Sequence, residues 1–193
     1  MNIINDEINK FNKTRKHQHR MSDNSRLNEL FFGSINEGDE NLKQIVVDKI
    51  NNNDWEKQNP ESFRESLLKS RHPLMLTDYT SSELSQMKLF KLNDLNIGYA
   101  LKTNEHKPYS EIVAVHNNEP NVRAIGNELM QSAISNGGCY LDHFDVSKLT
   151  NLYQSMGFDE FKREPYNAEY DTNGEFKNSY GEVDIIYRKY RGC

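Results

Sequence analysis

At 193 residues the chain has room for one domain of ordinary size and an extension. Its 35% apolar content is low for a globular domain, and a formal charge of −5 excludes a protein built throughout to coat nucleic acid. No apolar run approaches the ~20 residues that cross a bilayer, and the polar N-terminus lacks the apolar core of a secretory signal.

Apolar residues are thin before residue 26 and dense after about residue 72. That gradient predicts a flexible basic N-terminus over 1–25, a helical extension over 26–71 and a compact domain over 72–193. The first segment carries K-T-R-K-H-Q-H-R at 13–20, four Lys/Arg in eight residues with His17 and His19 between them. A nucleic-acid or acidic-partner patch is one reading. A solvated helix or tail is preferred, because no aromatic residues interleave to stack on bases. Two histidines alone define no coordination sphere, so no metal site is expected.

From Arg26 to Ser70 the pattern is helical. Leu27, Leu30 and Phe31 form a short stripe closed by Gly33. Asp39 can cap a second helix that carries Leu42, Ile45, Val46 and Ile50 on one face and ends at the Asn51–Asn53 run. A third helix starts at Pro60 and buries Phe63 and Leu67, with Trp55 as a packing anchor between the two. These helices either form an arm for a protein partner (26–70) or pack onto the domain that follows.

Thr80-Ser-Ser-Glu83 is a capping box and predicts a short helix with Leu84 and Met87. The segments 87–92 and 96–102 then read as two strands of a hairpin turned at Asn93–Asn96. After a polar loop with Pro108, E-I-V-A-V-H (111–116) reads as a strand apolar on both faces, Val113 and Val115 alternating with Ile112 and Ala114.

Asn117-Asn118-Glu119-Pro120 cannot continue that strand. A helix begins near Ile125-Gly126, since Ile125, Leu129, Ala133 and Ile134 share a face, and Gly137-Gly138 ends it. Its first turn has small residues at Ala124 and Gly126, where backbone N–H groups and the helix end can approach an anion. Residues 140–145 form the next strand, and Asp145 or Ser147 caps a helix with Leu149, Leu152, Tyr153 and Met156 on one face. Gly157 closes it, Phe158 opens another strand, and residues 181–188 form the last one. Cys139 follows Gly-Gly at a strand start and reads as a small buried residue. Cys139 and Cys193 are too few for a disulfide framework and far apart, which makes a reduced, cytoplasmic setting the default expectation.

The unit from Glu111 to Phe158 resembles the acetyl-CoA-binding core of the GNAT N-acetyltransferase superfamily. That family's pyrophosphate turn, [Q/R]-x-x-G-x-[G/A], appears here as Asn121-Val122-Arg123-Ala124-Ile125-Gly126, with Asn for Gln/Arg and Ala for the first Gly. Its second signature, L-Y-x-x-x-G-F, is intact at Leu152–Phe158. The resemblance covers roughly residues 72–190. It implies an α/β (α+β) fold with a mixed, mostly antiparallel central sheet flanked by helices, here with an N-terminal helical extension. L-D-H-F-D, HNN and P-Y-N-A-E-Y also resemble small GNAT-like domains of bacteriophage and mobile-element proteins, which would place the chain in a host cytoplasm or a virion.

The resemblance further implies direct attack of an amine on the thioester of acetyl-CoA. A splayed pair of central strands would hold the cofactor's arm, through the strand carrying Val113 and Val115, and the turn Arg123, Ala124, Ile125, Gly126 and Asn127 would hold its phosphates. Val146 stands where members of the family commonly place an asparagine. Tyr153 matches the position of the acid that protonates the leaving thiolate; the competing reading is a packed core tyrosine. For the base, His143 and Asp145 lie two residues apart on one strand, so that a carboxylate could tune the imidazole near neutrality; the competing reading is a capping aspartate with a hydrogen-bonded histidine. Glu111 and His116 are alternatives. The departures at Asn121, Ala124 and Val146 leave a second function open: a catalytically inactive GNAT-like structural or interaction module.

Overall fold

The computed structural model describes residues 40–70, 73–103 and 109–193. The basic stretch at 13–20, the stripe at Leu27, Leu30 and Phe31, the Asp39 cap and the loop at Pro108 lie outside the described residues. The fold is mixed α/β, a six-stranded, mostly antiparallel sheet with helices on both faces.

Chain order is α1 (Glu40–Asn51), α2 (Pro60–Leu68), α3 (Ser81–Leu84), β1 (Lys88–Lys91), β2 (Ile97–Lys102), β3 (Ser110–Asn117), α4 (Gly126–Ser135), β4 (Gly138–Phe144), α5 (Ser147–Ser155), β5 (Phe158–Glu164), α6 (Glu175–Tyr180) and β6 (Ile185–Tyr190). The strands lie in the order β1-β2-β3-β4-β6-β5. All pairs are antiparallel except β3–β4, which α4 connects as a parallel crossover.

The helix starts follow from local chemistry. Asn59 Oδ1 accepts from the Ser62 amide at 3.0 Å and Pro60 fills the first helical position of α2. The Thr80–Glu83 capping box holds α3 by bonds in both directions. Asn53 and Asp94 take left-handed backbone at the end of α1 and in the β1–β2 turn.

One face of the sheet receives α1, α4 and α5, through Val46, Ile50, Leu129, Met130, Ala133 and Tyr153. The other receives α2 and α3, through Phe63, Leu67 and Leu84. Residues 40–70 therefore share their cores with the sheet. Burial of Phe63 alone is worth about 1.5–3 kcal/mol, enough to seat a nine-residue helix that would not form in isolation. Trp55 packs edge-on to Phe90 and Tyr99 from the same segment.

Four expectations need correction. Ile45 is exposed, because the buried side of α1 runs through Val46 and Ile50, with Leu42 and Val47 beside them. Neither Asp145 nor Ser147 caps α5: Val146 holds the cap position with no side-chain bond, while Asp145 accepts from the Thr150 hydroxyl at 3.0 Å. The last strand begins at Ile185, because Gly181 turns the chain and Asp184 is engaged by the Asp145 amide and Arg163. Cys139 is buried as expected, but it is disulfide-bonded to Cys193: β4 and β6 pair antiparallel, which brings the start of one to the end of the other, with Cα atoms 6.2 Å apart.

No helix among the described residues is long and apolar enough to cross a membrane.

Candidate functional site

β3 and β4 meet only at their first residues, Ser110 opposite Gly138 and Glu111 opposite Tyr140. Gly138 permits this contact, since a Cβ there would collide with the Ile112 side chain and the Ala133 carbonyl. Among the described residues, no strand pairs with β3 on that side beyond Glu111, while β4 continues against β6 alone. The strands part into a wedge whose β3 edge carries backbone groups without a ladder partner.

The parting coincides with a bulge in β3. Ala100 pairs with Val113 and Gly98 with His116, so Ala114 and Val115 together face Tyr99. Ala114 takes up the extra residue with φ of +53°. The expected strict alternation is therefore broken: Ile112 and Val115 face the α4 side, whereas Val113 and Ala114 both face the α2 side.

A cavity of about 330 Å³ occupies the wedge. It is walled by β3 from Ile112 to Asn117, by Leu141–Phe144 of β4, by the turn Arg123–Gly126, by Leu149, Leu152 and Tyr153 of α5, and across the sheet by Met75, Leu76, Thr77 and Tyr79. It thus opens to both faces of the sheet at one point. Among the described residues, no cluster of three or more His, Cys, Asp or Glu could hold a metal ion.

The turn into α4 supplies donors. Ile125 occupies the cap position with no side-chain bond, leaving the first amides of α4 uncapped at the cavity wall. Gly126 lets α4 and α5 approach closely, as a Cβ there would sit 3.2 Å from Leu152. Arg123 Nη1 donates to the carbonyls of Glu119 and Val122 at 3.3 and 3.1 Å, which fixes its guanidinium beside the turn. Ala124 has φ of +54°, a left-handed conformation that costs an L-residue roughly 1–2 kcal/mol. Both left-handed alanines of the described chain, Ala114 and Ala124, line the same cavity. Backbone strain of this kind persists where surrounding structure over-determines it, and it concentrates at functional sites. Ala124→Gly is expected to raise stability by about 0.5–1 kcal/mol, the strain relieved less the extra entropy of glycine. Urea denaturation measures it, and a loss of stability would remove strain from the account of this turn.

The residues proposed from sequence distribute unevenly. Val113, Val115, Arg123, Ala124, Ile125, Gly126, His143 and Tyr153 line the cavity. Asn127 lies in the first turn of α4 and is not on the wall, and Val146 is fully buried in a separate cluster with Tyr180 and Val183. Glu111 sits at the apex of the wedge, paired across to Tyr140 and Lys102.

Tyr153 is buried on α5, its ring 4.9 Å from that of His143 and 6.1 Å from that of Phe158. Burial, and next the Asp142 carboxylate, push its pKa up to about 12, so the phenol keeps its proton.

His143 and Asp145 do not form the expected pair. The His143 Nδ1–H donates to the Phe144 carbonyl at 2.7 Å, and its Nε2 accepts from Arg188 Nε at 2.8 Å. Asp145 is engaged by Arg163 at 2.7 Å and by Thr150. Burial, reinforced by the Arg188 charge, pushes the His143 pKa down to about 4 rather than near neutrality. His116 is similarly occupied: Nδ1–H donates to the Ala114 carbonyl at 2.9 Å, Nε2 accepts from the Ser66 hydroxyl at 2.8 Å, and burial lowers its pKa to about 4.

Three features of the site escaped the reading of the sequence. Asp142 lies on the cavity wall; although water reaches its side chain, the concave surroundings and then the Glu111 carboxylate raise its proton affinity. The L-D-H-F-D alternation was its signal, since a period of two puts Asp142 on the face opposite His143. The second is the 75–79 wall, which no motif marks. The third is Arg188, wholly buried behind His143, for which local sequence carries no signal.

Comparisons with family models, with curated proteins and with solved structures find no match to this chain.

Proposed function

We propose that the chain is a divergent GNAT-type N-acetyltransferase that takes acetyl-CoA and transfers the acetyl group to an amine. The observation that carries the reading is the wedge: two parallel neighbours part after Glu111 and leave an unpaired β3 edge along a cavity that reaches both sheet faces. An extended amide-bearing arm would add to that edge much as a strand does. A cavity of about 330 Å³ suits the acetyl-pantetheine end, with the phosphates outside it on the uncapped turn of α4 beside Arg123. When bound, acetyl-CoA supplies an activated acyl carbon and a thiolate leaving group.

The chain's own groups then have distinct tasks. Asp142, a carboxylate on the cavity wall with raised proton affinity, takes the proton that the amine must lose. Tyr153, protonated at neutral pH, gives its proton to the departing sulfur. His143 and His116 do not serve as bases, because both nitrogens of each ring are engaged. The C–N bond forms as the C–S bond breaks, and one proton leaves the amine while one arrives at the thiol.

Calorimetric titration with acetyl-CoA tests the reading. Binding is expected below about 100 µM, and Arg123→Glu should weaken it about tenfold by placing an anion beside the phosphate turn. No heat with the wild-type chain at that concentration would overturn it. A second reading, an inactive module that keeps the fold, is favoured by the internally satisfied histidines and by Val146, which is buried and not on the cavity wall. It predicts that same absence of heat.

A further inference from the structure

Arg188 is the anomaly of the interior. Its side chain is fully buried, yet no carboxylate pairs with it among the described residues. Nε donates to His143, Nη1 donates to the Phe158 carbonyl at 3.1 Å, and Nη2 has no partner among the described residues. A guanidinium keeps its proton in proteins, so a full positive charge is held in the core at considerable desolvation cost. Its two hydrogen bonds return only part of that cost, so the charge is a weak source of fold stability.

What the guanidinium does is dictate the state of His143. Because a guanidinium only donates, His143 Nε2 must carry a lone pair, and its proton must sit on Nδ1, where the Phe144 carbonyl receives it. That fixes both the tautomer and the plane of the ring. The same ring forms part of the cavity wall and lies 4.9 Å from the Tyr153 ring, tilted by 56°. The other groups around His143 are Asp145 at the end of its strand, Arg163 of β5 and Tyr153 of α5, and Asp145 and Arg163 are paired with each other.

We infer that Arg188 is a positioning residue which, through a neutral His143 of fixed tautomer, holds the Tyr153 phenol in place at the cavity. The catalytic part of this statement rests on the acetyltransfer reading; the tautomer part does not. The guanidinium also leaves a positive charge behind the phenol, so that the ring gives up its proton more readily than burial alone would allow.

The full chain labelled with ¹⁵N at histidine separates the two parts. In the wild type, NMR should show His143 as the Nδ1–H tautomer with a lone pair on Nε2, unchanged between pH 8 and about 5. A proton on Nε2, or titration near 6.5, would overturn the inference with no mutant needed. Arg188→Met should release the tautomer preference and lower kcat roughly tenfold to a hundredfold with KM little changed. Arg188→Lys, which keeps the charge but not the fork, should recover part of the kcat. An unchanged tautomer in Arg188→Met, a changed one in Arg188→Lys, or equal changes in kcat and KM, would count against positioning. If Arg188→Met does not fold, the wild-type tautomer and Arg188→Lys decide. A chain that shows the expected tautomer but binds no acetyl-CoA would sink the acetyltransfer reading and leave the Arg188–His143 link standing.

Discussion

Replacing Tyr153 by phenylalanine is expected to lower acetyl transfer about a hundredfold while leaving acetyl-CoA binding within a factor of about two. The substitution removes only the hydroxyl. The ring keeps its contacts with His143 and Phe158, and the apolar stripe of α5 is untouched. With a pKa pushed up to about 12, the phenol enters the reaction protonated and serves as acid, not as base. Its loss should therefore appear in kcat, since the proton is needed only as the thiolate departs. Stopped-time assay of acetylated amine, beside calorimetry of cofactor binding, reads both quantities. Unchanged turnover would take Tyr153 out of the mechanism and return it to the core.

A fall in stability as pH drops from about 6.5 towards 4 is the second large expected effect. His116 and His143 both have pKa values lowered from 6.5 to about 4 in the folded chain, mainly by burial. Within that window the unfolded chain binds protons that the folded chain refuses, so stability must rise with pH and fall with acid. Each histidine contributes a slope of up to about 1.4 kcal/mol per pH unit, or about 3 kcal/mol across the window. Below about pH 4 both states hold the protons and the slope from these groups ends. Asp54, Glu56 and Asp145, whose pKa values are lowered, lose their own contribution only as pH falls below the ordinary 3.8–4.5 of a free carboxyl. The two causes are thus separated along the pH axis. Urea midpoints measured at pH 7, 6 and 5 test this, and His116→Gln should reduce the slope by about half. A flat profile over those three values would show that neither imidazole is held neutral.

Much of the secondary structure was legible because its signals are local. The Thr80–Glu83 box, Pro60 at the start of α2 and the Asn51–Asn53 stop are satisfied by neighbours a few residues away, and each occurs where the pattern placed it. Tyr153 was also legible, since a helical period of 3.6 puts it with Leu149 and Met156 toward the sheet. Where a residue's surroundings come from distant strands, periodicity had nothing to report. Ile45 fits the stripe of α1 as well as Val46 does, and only the position of α4 against that helix decides which is buried.

The candidate site divides along the same line. Sequence alone nominated part of the cavity wall, Val113 and Val115 of β3, the turn Arg123–Gly126 and Tyr153 of α5, and also Asn127, which lies off it. Tertiary structure decided what those residues can do. The bulge at Ala114 reverses the facing of half a strand, an event of register between β2 and β3 that no single strand encodes. The antiparallel pairing of β4 with β6 joins Cys139 to Cys193 and sets Arg188 behind His143, across 54 and 45 residues of chain. Hydrogen bonding and burial depend on such long-range neighbours, so the sequence could nominate His143 as a base, and only the packed sheet could occupy both of its nitrogens.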